Sequence, residues 1–228
     1  MKKSFSTLLI ILAVLVVSAQ DKPSFIGLQA GPSFPVGKFH SKKLPEGSFT
    51  LTGISASLEG AWFFKPWLGA GGSAGMHLHP VDVGPLGYEK VISDPFLNDV
   101  NIRSEPYRSY ALYAGLFFQF PLVQRLSFTA KALGGVMYTQ SPYQLYKATY
   151  ELIGDHWYEI TSAGDFEGSF LAGAGLKYEM KNCIGFSLNS EFTYNTLGFN
   201  FQTLDGNTRT DKKVVSFVNL VAGVFIKI

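Results

Sequence analysis

Apolar and polar residues alternate along most of this chain with a period of two, which belongs to strands rather than helices. The first such stretch, over 26–36, sets Ile26, Leu28, Ala30, Phe34 and Val36 against Gly27, Gln29, Gly31 and Ser33. Seven more follow, over 54–64, 68–78, 109–120, 126–138, 166–178, 184–194 and 214–228. In each, one face carries Ile, Leu, Val, Ala, Phe or Tyr and the other mainly Gly, Ser, Ala and Thr. The apolar faces hold no charged residue, and Ser190 and Ser216 are their clearly polar members.

A soluble β-sandwich or a lipid-binding barrel in solution would also alternate, so three further features decide between them. The stretches are about 11 residues long, the length of a tilted membrane-crossing strand, whereas strands of soluble domains average about 5–6. The less apolar face is too poor in charge to meet water, and its small side chains suit a narrow, filled lumen. The connections also alternate. Short ones lie at 65–66, 121–125 and 179–183, and long ones at 37–52, 79–108, 139–165 and 196–213. Short turns on one side and long loops on the other define a bacterial outer-membrane barrel. The expected fold is therefore all-β, an eight-stranded antiparallel up-and-down transmembrane barrel. Aromatic residues near the strand ends, such as Trp62, Phe64, Trp67, Phe118, Phe120 and Tyr178, fit interfacial girdles.

The N-terminus supplies the address. Lys2 and Lys3 precede an apolar run over 8–17 and then Val17-Ser18-Ala19, the layout of a secretory signal peptide. The run is about half the ~20 residues that a spanning helix needs. Residues 1–19 are expected to be a signal peptide and 20–228 one barrel domain in the cell outer membrane. Cys183 is the single cysteine, which rules out an intrachain disulfide. Lys and Arg total 19 against 17 Asp and Glu, a balance that gives nucleic acid no reason to bind.

The signal peptide, the Gly-rich alternating strands and the final Gly223-Val224-Phe225-Ile226-Lys227-Ile228 resemble the PorT-like group of outer-membrane β-barrel proteins. The likeness covers essentially the whole mature chain and extends broadly to barrel domains of the OmpA and OmpX types. It implies that the last strand is read by the barrel assembly machinery. Gly223, Ile226 and Ile228 match the expected glycine and alternating apolar positions, with Ile228 where an aromatic residue is usual.

Candidate chemistry is sparse. Glu59, Lys131, Glu167, Lys177 and Glu191 share the lumenal face, where a narrow interior requires them to pair. They form either a rigid polar plug, the favoured reading because barrels of this size are filled, or a gated small pore. His77 and His79 sit at the top of the third stretch, where a lipid-modifying enzyme would need a Ser–His–acid set; Ser73 lies near in sequence, but no such set stands out. Phosphate-cradling loops and nucleophile elbows are missing, and no cofactor is expected. The third long loop carries Tyr143, Tyr146, Tyr150, Trp157 and Tyr158, which suit contact with a protein or glycan partner, and its alternation predicts a hairpin across Gly154-Asp155. Lys38, Lys42, Lys43, Arg209, Lys212 and Lys213 lie in the first and last loops, which closure makes neighbours. They offer charge to outer-membrane lipid and to the phosphates of lipopolysaccharide.

Overall fold

The computed structural model describes residues 23–152, 154–180, 183–202 and 208–228, without the side chains of residues 201, 202, 208 and 209. The signal peptide expected over 1–19 and the Arg209 side chain lie outside that description.

Eight strands close into an antiparallel meander: β1 (Phe25–Pro35), β2 (Gly53–Lys65), β3 (Leu68–His79), β5 (Tyr107–Val123), β6 (Leu126–Gln140), β9 (Gly164–Glu179), β10 (Ile184–Gln202) and β11 (Thr208–Lys227). β1 pairs with both β2 and β11, so no edge of the sheet is left open. All eight stretches expected from the alternation are barrel strands. Their faces are also oriented as expected: Leu28 is 65% exposed on the outer wall, whereas neighbouring Gln29 is 2% exposed inside. Small residues let the wall close tightly. A Cβ at Gly31 would meet the Leu220 carbonyl at 2.1 Å, and one at Gly135 would meet that of Leu112 at 2.0 Å.

Short turns join β2 to β3, β5 to β6 and β9 to β10, and define a turn end; Cys183, exposed and at φ 63°, sits in the last of them. The opposite, loop end is far more ordered than the sequence suggested. The stretch expected as a loop over 196–213 is mostly strand, since β10 continues to Gln202 and β11 begins at Thr208, in unbroken register. There the apolar phase inverts: Leu197 and Phe199 are buried on the inward side, whereas Phe192 and Tyr194 point outward. Once a strand rises beyond the outer apolar belt, its inner side packs on loops, and the alternation read lower down misleads.

The second long connection holds helix α1 (Val83–Ser93) and strand β4 (Leu97–Ser104), neither expected from the sequence. The third contains the expected hairpin, β7 (Gln144–Tyr150) and β8 (Gly154–Ile160), turning at Gly154 with φ 73°. β4, β7 and β8 form a separate three-stranded sheet with β8 at its edge. Its core is Phe49, Leu86, Ile102 and Tyr146, so loop 1, α1 and the sheet share one apolar cluster. Among the described residues, no helix is long and apolar enough to cross a membrane.

Candidate functional site

The lumen is layered from the turn end upward. Its floor is aromatic, built by Phe25, Phe63, Phe117 and Phe225, with Phe25 edge-on to Phe117 at 6.1 Å and to Phe225 at 6.0 Å. Lys177 lies on this floor with its ammonium over the Phe25 ring and 5.1 Å from the centre of Phe225. Cation–π attraction is strongest where water is excluded, as it is here.

Above the floor, Lys131 of β6 bonds Glu59 of β2 and, at 2.7 Å, Glu191 of β10. All three side chains are nearly sealed from solvent, 6% exposed or less. Gln29 donates to Glu191 at 2.6 Å and to Glu59 at 3.4 Å, and Asn189 donates to the Gln29 carbonyl oxygen at 2.8 Å. These bonds join strands from opposite sides of the barrel through its axis. The space left beside Lys131, Lys177 and Asn189 is about 10 Å³, room for one water at most.

Higher still is a polar collar. His79 Nε2 shares a 2.9 Å hydrogen bond with Ser33, and both residues are fully buried. The ring nitrogens of His77 and the side-chain amides of Asn195 and Asn219 are buried and meet no protein partner, so ordered water is what such groups require. A 3-10 turn over Gly37–Phe39 closes the mouth, dropping Phe39, fully buried, edge-on onto His79 at 5.2 Å and Tyr107 at 5.4 Å. Gly37, at φ 60°, permits the reversal that folds this turn inward.

Four of the five charges expected in the lumen are buried there, but they do not form one network. Glu59, Lys131 and Glu191 meet; Lys177 rests on rings instead. Glu167 must be corrected: it keeps the inward side of β9, yet it lies high on the strand and is exposed. His79 is also not at an open rim, because Phe39 covers it, and its hydroxyl partner is Ser33 rather than Ser73. Gln29, Asn189 and Phe39 escaped the sequence reading. The first two have no charge to flag them, and Phe39 lies in a stretch with no periodicity.

At the loop end the aromatic residues of the hairpin divide. Tyr146 stacks on Tyr158 with centroids 4.7 Å apart and is 1% exposed, so it is a core residue and not a contact residue. Tyr143, Tyr150 and Tyr158 are half-buried, and Trp157 is 59% exposed. Lys147 bonds Asp155 at 2.8 Å and lies 5.8 Å from the Trp157 ring centre. That hydrogen bond holds the Asp155 carboxyl below its usual range, while the bond donated to Glu159 pushes the Tyr143 phenol up. Burial likewise pushes Tyr146 up.

Three of the basic residues of the first and last loops are occupied by intramolecular bonds. Lys38 pairs with Glu46 at 2.7 Å and Lys42 with Asp82 at 2.6 Å. Lys213 donates to the carbonyls of Pro45 and Gly47, which brings the two loops together. Among the described residues, no three His, Cys, Asp or Glu side chains are grouped to hold a metal.

No protein-family model matches the chain, and no curated protein sequence matches it. Among solved structures it is similar to the Neisserial surface protein A, with 11% identity, a TM-score of 0.48, and coverage of 91% of this chain and 98% of that one. A major outer membrane protein from Thermus thermophilus gives 13% identity and a TM-score of 0.45, over 90% of this chain and 99% of that one. The attachment invasion locus protein Ail of Yersinia pestis gives 17% identity and a TM-score of 0.42, over 89% of this chain and 97% of that one.

Proposed function

We propose that this chain is an integral outer-membrane barrel of the PorT-like kind, with a closed lumen and a structural or surface-interaction role. The carrying observation is the outer wall. Ile26, Leu28, Ile54, Leu112, Phe186 and Ile226 stand more than half exposed on it, while the ionic groups lie inside, near the strand ends or in the loops. A water-facing wall of that character would aggregate; in hydrocarbon it is the stable arrangement. The long loops then face outward from the cell and the short turns face the periplasm. The loop-end sheet, with exposed Trp157 and the open edge of β8, is the part offered to a protein or glycan partner.

The pore reading is disfavoured by three successive blocks, at Phe39, at the Lys131 cluster and at the aromatic floor. A lipid-modifying reading is disfavoured because Ser33 and His79 are sealed beneath Phe39, beyond reach of an acyl chain. The test is fractionation of cells producing the full chain. The protein is expected in the outer-membrane fraction, resistant to alkaline carbonate and released by detergent. A monodisperse protein in detergent-free buffer would overturn the proposal.

A further inference from the structure

Two adjoining depressions mark the outer wall on β1, β2, β3, β5 and β6, of about 640 and about 490 Å³, sharing Ala56 and Met76. Their floor is low because the outward positions are small. Ala30 and Ala56 face each other across β1 and β2. The lips are tall: Leu28 and Leu58 stand on the turn-end side, Ile54 and Leu78 on the loop-end side. Across the register of Met76, the row Tyr110, Tyr138 and Phe166 walls the far side. From β1 to β9 the trough spans five strand spacings, roughly 24 Å at ~4.8 Å each. On β10, by contrast, Phe186, Leu188, Phe192 and Tyr194 face outward, with Ser190 the one small residue in that row.

One row nearer the loops than Tyr110, Arg108 stands beside Leu78, its register partner in the upper lip. One of its terminal nitrogens bonds Glu105 at 3.2 Å. Among the described residues, no hydrogen-bond acceptor other than Glu105 meets its side chain. An apolar trough capped by a half-exposed guanidinium fork matches a lipid with a hydrocarbon chain below and a phosphate above.

We infer that this trough is a binding site for an acyl chain of the phosphorylated glycolipid of the outer leaflet, with Arg108 at its phosphate. The inference rests on the outer-membrane reading, which places the loop end in that leaflet. A phospholipid offers similar chemistry from a different source, and the experiment separates the two.

The barrel is purified from its own outer membrane in mild detergent, and co-purifying lipid is quantified by mass spectrometry. Phosphorylated glycolipid is expected to remain with the native protein in excess over phosphatidylethanolamine. Ala56→Phe fills the trough; excluding two methylenes reduces retention about ten-fold. Ala174→Phe, on β9 well toward the turn end from Phe166 and outside the trough's lining, leaves retention unchanged. Arg108→Gln lowers glycolipid retention and narrows its preference over phosphatidylethanolamine. Folding is checked by heat-modifiable gel mobility, and Ala30→Leu replaces Ala56→Phe if the latter does not fold. Equal loss in Ala56→Phe and Ala174→Phe, or no preference for the glycolipid, overturns the inference. A native chain recovered from the soluble fraction overturns instead the membrane reading beneath it.

Discussion

At the scale of single residues, Lys131 has the largest predicted effect. It is the cation bonded to two buried carboxylates, so Lys131→Met leaves Glu59 and Glu191 facing each other with no cation in hydrogen-bond contact. Breaking such a buried pair costs about 3–5 kcal/mol, read as a lower denaturant midpoint for loss of folded mobility in detergent. The triple variant Lys131→Met, Glu59→Gln, Glu191→Gln is expected to regain most of that loss, because both carboxylates are neutralised together with the cation that held them. Failure of the triple variant to recover would mean that shape, not charge balance, holds the barrel's centre. The inward placement of Glu59, Lys131 and Glu191 was legible because strand parity alone sends all three to the axis. Which of the inward charges touch was not, since that depends on height along the barrel. Lys177 sits a layer too low to reach a carboxylate in hydrogen-bond range, and Glu167 sits too high to be enclosed.

At the scale of elements, the β7–β8 hairpin carries two pH-sensitive links of opposite sign. The Asp155 carboxyl titrates below its ordinary value of 3.8 in the folded hairpin. The stability it contributes is present above that value and is lost as pH falls through the lowered one. Tyr143 titrates above 10.0, so its contribution is present below that value and is lost as pH rises through the raised one. Protection of the β7 and β8 amides from exchange, taken relative to the intrinsic rate at each pH, is therefore expected to be greatest across the intervening range. Asp155→Asn should remove the acid-side change only, and Tyr143→Phe the alkaline-side change only. Tyr146 acts differently, through packing: Tyr146→Ala removes a stacked ring from the shared cluster, a loss of about 3–5 kcal/mol on the scale of large aromatic truncations. It should open β4, β7, β8 and α1 to exchange while the barrel stays protected. The barrel strands were legible because one face is an apolar outer wall and the other lines a small polar core, a contrast that period two reports directly. β4 was not, because its pairing is irregular between Leu97 and Asp99 and its apolar residues Leu97, Val100 and Ile102 do not alternate strictly. α1 buries only Leu86 and Gly87, too little to imprint a helical period on so short a segment.

At the scale of the whole molecule, the barrel resists permeation at several levels rather than at one gate. Phe39→Ala removes the uppermost block only. In planar bilayers it is expected to give no current steps above those of the native protein, because the Lys131 cluster and the Phe25–Phe225 floor remain. Steps appearing with this single change would identify loop 1 as the gate and restore the pore reading. Loop 1 also couples the two halves of the molecule, since Phe39 enters the lumen while Phe49 joins the core beneath the loop-end sheet. Anything that pulls on that sheet thus tugs on the barrel's stopper.

The β9–β10 turn gives the molecule a chemical compass. Its lone thiol, Cys183, projects at the pole opposite the sheet. In the proposed orientation, a bulky maleimide too large to enter cells is expected to pass over the protein in an intact envelope and mark it only once the space beneath is opened. Handedness in the membrane is thereby written into a single sulfur atom.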